Sequence, residues 1–258
     1  MSVYIQTCTW DEVPHLSEEA KKDLWASTPP YLRDARAKGI PVLGSGLIYP
    51  IPDEEIKVPA LSSIPADWPR GYGMDVGWNR TAVGWFAKDP KSGVIYLHDY
   101  HYQGQEQPAI HAPAIRMRGA WIPGVVDPRS DGRSQIDGKQ LFIMYTTPID
   151  KGGYGLDLTK ADNAVTTGIA KVWQMLTSGT LKVCENVAPF WKELRMYQTD
   201  QNGQVVKKDD HFMDLVRYFC MSGIDRMKTG SEIRDSVSAW NRAFLGHSGY
   251  SRISGWMN

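Results

Sequence analysis

Residues 207–214 read KKDDHFMD, which places three carboxylates and a histidine within six positions just before the apolar run LVRYFCM. Asp209 and Asp210 suit the cap and first turn of a helix, where carboxylates oppose the helix dipole favourably. Two further acids stand in apolar surroundings: Asp75 in MDVG and Asp127 at the end of WIPGVVDP. An acid inside a strand is costly unless it meets a cation or water. In open α/β sheets the carboxyl ends of parallel strands are where ligands collect. Each acid also has a plain reading, a solvated turn for Asp75 and a cap before Pro128 for Asp127. If they meet, carboxylates from the first strand, a central parallel strand and the start of the last helix repel one another without cations. Hard divalent cations such as Mg²⁺ or Mn²⁺ take oxygen ligands. Two of them, ~3.5–4 Å apart, clamp the attacking and leaving oxygens of a phosphodiester displacement.

The elements that would bring these acids together follow from pattern. GYGMDVG, TAVGWFAK and GVIYLHDYHY are β-rich runs joined by turns at WNR and DPKSG, which predicts an antiparallel meander. A helix is expected over 106–118, with Ile110, Ala114 and Met117 on one face, and WIPGVV is a short apolar run of the buried parallel type. Further on, helices are expected near 139–145, over 163–176 and over 187–196, and strands at 156–158 and 181–184. QTDQNGQVV reads as a hairpin turning at Asn202-Gly203, and a last helix follows KKDD. Antiparallel strands followed by strands alternating with helices predict an α/β fold: a mixed sheet flanked by helices on both faces.

Residues 1–65 differ in texture. A helix is expected over 17–27, and the stretch PPYLRDARAKGIPVLGSGLIYPIP is loop chemistry, with GSG at 44–46 read as a tight turn. Pro59, Pro65 and Pro69 break regular structure and set a boundary there, so 66–221 is the expected catalytic unit and 222–258 a partly flexible, Gly- and Ser-containing extension.

The chain has 258 residues with 42% hydrophobic content, 29 basic and 29 acidic groups, and a formal charge of zero. That balance excludes nucleic-acid binding through a global positive field and demands a local patch. Lys207, Lys208, Arg129 and Arg133 flank the acids and are the expected phosphate contacts. Cys8, Cys184 and Cys220 are odd in number and far apart, so they are read as buried thiols; Trp78, Trp85 and Trp173 are assigned to core packing. No membrane span or signal-peptide core is present, so an intracellular location is expected.

MDVGWNRTA around Asp75, WIPGVVDPRSDGRSQIDG around Asp127, the hairpin and KKDDHFMDLVRY occur in this order, and together they resemble the nuclease domain of bacteriophage large terminase subunits. The resemblance covers 70–221, and TWDEVPHLSEEAKKDL with YLRDARAKGIPVLGSGLIYPI resembles the stretch leading out of the packaging ATPase. It implies an RNase H-like fold and an endonuclease that cuts concatemeric double-stranded DNA with two ions, Mg²⁺ or Mn²⁺. Asp75, Asp127 and Asp210 become ligands, Asp209 an optional ligand where relatives often have Asn, and Asp214 a water-mediated ligand or a partner for Arg217. His211 becomes an auxiliary contact to phosphate or metal-bound water. The ATPase domain of the same subunit, the portal and the small terminase subunit are implied partners, in the host cell cytoplasm. No Walker A loop, G-x-x-x-x-G-K-[ST], occurs, so the chain is read as the C-terminal portion of such a subunit. A resolvase or integrase type of RNase H-like nuclease, and a non-catalytic module docking DNA or the portal, remain the alternatives.

Overall fold

The computed structural model describes residues 8–28, 33, 36–38, 46–129, 140–200 and 202–230. Its strands are β1 Lys57–Val58, β2 Arg70–Asp75, β3 Thr81–Lys88, β4 Ile95–Gln103, β5 Gly124–Val126, β6 Leu158–Lys160 and β7 Leu181–Cys184. They form one sheet in the order β1-β7-β4-β3-β2-β5-β6. The meander β2-β3-β4 is antiparallel, as its turns predict, and every other pairing is parallel. Every strand except β3 therefore points its carboxyl end to the same edge of the sheet.

Helices cover both faces. They are α1 Glu18–Ser27, α2 Asp53–Ile56, α3 Pro108–Arg116, α4 Leu141–Thr146, α5 Val165–Thr177, α6 Ala188–Leu194 and α7 His211–Tyr218. On one face Ala82, Phe86, Leu97, Val125 and Val183 pack beneath residues of α5, α6 and α7; on the other, Tyr72, Met74, Val83, Trp85 and Val126 meet α3 and α4. β3 contributes to both cores and is buried along almost its whole length, which is why its sequence is continuously apolar. The hairpin is present: Thr199 bridges Val205, and Gly203 takes the positive φ of 74° that its turn requires. Ile48, Tyr49 and Ile56 lie in the same apolar cluster as Phe86 and Phe219, so part of the region before residue 65 packs with the sheet.

Three expectations give way. The face of α3 that packs is His111, Ala112 and Ile115, whereas Ile110 and Met117 are exposed. Trp85 and Trp173 are core residues, but Trp78 is 66% exposed because it sits in the β2–β3 turn beyond the end of the packed strand. Cys184 and Cys220 are buried, whereas Cys8 is exposed ahead of a short surface turn that buries nothing. Burial raises the Cys184 thiol and pushes Cys220 up to about 12. One thiol is therefore expected to react with a disulfide reagent at pH 8 in the native protein and three in denaturant; two or three native thiols reacting would contradict this packing.

Candidate active site

Gly71, Gly73 and Asp75 alternate onto one face of β2, the face toward α7. A Cβ on Gly73 would lie 2.6 Å from the Leu215 carbonyl oxygen, and one on Gly84 in the neighbouring strand 2.9 Å from Leu215 Cδ1. The missing side chains let α7 lie directly on the sheet. Asp75, the last residue of β2, consequently faces the helix's first turn, and His211 Nδ1 stands 2.8 Å from Asp75 Oδ2.

Asp127 follows β5, the parallel neighbour of β2. Met74 pairs with Val126, so the next residue of each strand is an acid at the same sheet edge. The Asp127 amide donates to the Met74 carbonyl at 3.3 Å, which holds the two chain ends together. Asp127 Oδ1 also accepts from the Arg129 amide at 2.9 Å. The turn cap and the strand-end acid are thus the same residue.

The charges of these acids reach one another. Burial raises the Asp75 carboxyl, the contact with His211 opposes this, and the charges of Asp214 and Asp127 push it up further. Tyr218, raised mainly by burial, also feels Asp214, Asp127 and Asp75. The hydrogen bond to Asp75, against the pull of burial, holds the His211 imidazolium above its ordinary range.

Within KKDDHFMD the acids have different settings. Asp209 is exposed and has a left-handed φ of 50°, a conformation that Asn and Asp tolerate best. Backbone geometry alone therefore explains an Asn or Asp there. Asp210 is the N-cap of α7, and its Oδ2 accepts from Lys207 Nζ at 2.9 Å. Asp214, one turn on, is held from both sides: Oδ2 by Lys207 Nζ at 3.1 Å and Oδ1 by Arg217 Nη2 at 2.9 Å. Arg217 is buried, its Nη1 donates to Asn163 at 3.0 Å, and the absence of a side chain on Gly168 makes room for its stem. Burial lowers the Lys207 ammonium, but Asp214 and Asp210 outweigh it and leave the group raised.

As arranged, no three acidic, histidine or cysteine side chains among the described residues converge closely enough to enclose one ion. Lys207 and His211 stand among the acids as their countercharges. The donor set nevertheless suits a hard cation: carboxylate oxygens from two strand ends and one helix, including a carboxyl raised mainly by burial and further by neighbouring acids. His101 and His111 pair with each other, Nε2 to Nδ1 at 2.9 Å. Lys208 and Arg129 are exposed beside the acids, whereas Arg133 lies outside the described residues.

One charged residue went unmarked by the sequence. Glu193, within the apolar-looking APFWKEL, is buried against the start of α7, and burial pushes its carboxyl up to about 7. A Glu three positions past Phe190 in a short helix carries no motif that would single it out.

A mixed sheet with an antiparallel meander flanked by parallel strands, with acids at two adjacent strand ends and on a crossing helix, is an RNase H-like arrangement. The family model described as Terminase RNaseH-like domain matches residues 70–222, and the chain belongs to that family. It is 30% identical over 220 residues to the terminase large subunit of Salmonella phage P22, covering 80% of this chain and 42% of that protein. The large subunit of Enterobacteria phage LP7 matches at the same identity, with 80% of this chain and 44% of that protein covered. The chain thus spans less than half the length of these curated relatives. The solved P22 large terminase nuclease domain superposes with a TM-score of 0.63 at 27% identity, over 74% of this chain and 99% of that domain. The large terminase of a thermophilic bacteriophage, solved in complex with ADP, shares the fold: TM-score 0.63 and 21% identity, over 82% of this chain and 53% of that one.

Proposed function

We propose that this chain is a divalent-metal-dependent endonuclease that cuts concatemeric double-stranded viral DNA during genome packaging in the host cytoplasm. The observation that carries the reading is the placing of Asp75 and Asp127 at adjacent strand ends with the first turn of α7 against Asp75. Likeness to the P22 nuclease domain supports it. Asp75, Asp127 and Asp214 would hold the ions, with Asp210 the further acid one turn before Asp214; this shifts weight from Asp210 to Asp214 relative to sequence alone. Two Mg²⁺ or Mn²⁺ ions held there would supply Lewis acidity and an activated water for in-line hydrolysis.

The chain's own residues prepare that chemistry. Arg217 fixes the Asp214 carboxylate. Lys207 neutralises Asp210 and Asp214 before the ions arrive; its side chain is 56% exposed, so it is free to leave them for a DNA phosphate. His211 screens Asp75 and, once released from it, can donate to a phosphate oxygen. Lys208 and Arg129 contact the DNA backbone. The packaging ATPase of the same subunit, the portal and the small terminase subunit are the partners this reading brings with it.

The experiment is cleavage of supercoiled plasmid by the purified chain with Mn²⁺, Mg²⁺ or EDTA. Nicking and linearisation with either cation, stopped by EDTA, are expected. No cleavage under any condition would leave a DNA- or portal-docking module, in which Lys207 and His211 neutralise the acids permanently. Lys208→Ala and Arg129→Ala should each weaken duplex binding and lower the slope of log K against log salt by about 0.9. An unchanged slope in both would remove them from the interface.

A further inference from the structure

α7 begins without a cap from its own segment. Asp210 stands at the N-cap position but makes no side-chain capping bond, and Lys207 engages its carboxylate. The first amides of a helix still need acceptors when buried. Glu193 of α6 supplies them from outside: its Oε2 accepts from the Phe212 amide at 2.6 Å and the Met213 amide at 3.3 Å. Its Oε1 accepts from the Tyr102 hydroxyl of β4 at 2.7 Å. Glu193 is 1% exposed, so its carboxylate is closed to solvent. Tyr102 is itself steadied, with the Arg80 guanidinium 4.7 Å from its ring centre.

The two capped amides lie between His211, which meets Asp75, and Asp214, whose charge acts on it. The Glu193 charge also acts on His211. We infer that Glu193 is a positioning residue for the metal-binding acids: by anchoring the first turn of α7 to β4 and α6, it sets where Asp214 and His211 stand against the sheet edge. The inference rests on the nuclease reading above. Its basis is separate, because it concerns which residue orients the helix and not whether the acids bind metal.

The test measures Mn²⁺ affinity of the full chain without DNA, by the electron paramagnetic resonance signal of free Mn²⁺, together with thermal stability. Glu193→Ala, folded by circular dichroism, is expected to weaken Mn²⁺ binding about tenfold, the scale of losing a supporting contact behind a ligand. Glu193→Gln should stay within about threefold of wild type, because its oxygen still accepts from the amides and its NH₂ can donate to Tyr102. A lower melting temperature with wild-type Mn²⁺ affinity in Glu193→Ala would overturn the inference and leave a cap that only stabilises. Should Glu193→Ala not fold, Tyr102→Phe decides. That variant keeps the carboxylate and removes one anchor, so Mn²⁺ binding about threefold weaker is expected, and unchanged binding overturns the inference. Wild-type protein that binds no Mn²⁺ would instead sink the metal reading itself, and this inference with it.

Discussion

Asp75→Asn is expected to lower metal-dependent plasmid cleavage by at least about 10³-fold, or ~4 kcal/mol of transition-state stabilisation, without unfolding the protein. The substitution keeps shape and hydrogen-bonding capacity toward His211 while removing the charge on which Asp214 and Asp127 act. Burial, with a smaller push from Asp214 and Asp127, raises the Asp75 carboxyl despite the opposing contact with His211, so without divalent cations the ionised group opposes folding. The native state then holds this proton more tightly than the unfolded chain does. The penalty is absent below the ordinary carboxylate range, grows as pH rises from there to the raised value, and is full above it. Asp75→Asn should therefore match or exceed wild-type melting temperature in EDTA at neutral pH, with no gain in acid. Lost activity beside kept stability is the mark of a charge retained for chemistry. A variant that cuts within about tenfold of wild type, or that loses cleavage only by losing its fold, would count against the assignment.

Gly73→Ala should damage both stability and cleavage, though it adds only a single methyl. The new Cβ would fall 2.6 Å from the Leu215 carbonyl oxygen and 3.2 Å from Phe219 Cβ, and backbone at that distance cannot swing aside. α7 must lift from β2. Overpacking of this kind costs about 1–3 kcal/mol, or roughly 2–4 °C per kcal/mol for a domain of this size. The larger consequence lies in the site, because lifting α7 carries Asp214 and His211 away from Asp75 and Asp127. Misplacement on the 1 Å scale costs about 10²-fold in rate. Melting curves and plasmid cleavage test both parts, and cleavage within about threefold of wild type would mean that the close helix–strand contact does not set the site.

Asp127 was legible as the acid that ends an apolar run, and Asp75 as a charge inside a β-rich run where it needs a reason, although its place as the last residue of β2 was not read. The meander was legible from its turns, and α7 from the apolar run after KKDD. What distinguishes Asp209, Asp210 and Asp214 was not, since their roles depend on a left-handed backbone at Asp209 and on Lys207 and Arg217 reaching from different sides. Glu193 escaped for a similar reason: it meets α7 from 19 residues away in sequence, and only packing brings its carboxylate to the helix start. Trp78 misled because its hydrophobicity was given more weight than its place in WNR, itself read as a turn; it lies three residues past the end of β2 and is exposed. The face of α3 was misplaced because Ile110, Ala114 and Met117 fit the helical period, although the side that meets the sheet carries His111 instead.

The central claim, that carboxylates from two strand ends and α7 share divalent cations, is tested most directly by anomalous diffraction from crystals of the chain soaked in Mn²⁺. The account predicts two manganese peaks at the sheet edge, ligated by Asp75, Asp127 and Asp214, with Lys207 Nζ withdrawn from the carboxylates. Peaks elsewhere, or no peak at that edge at saturating Mn²⁺, would contradict it.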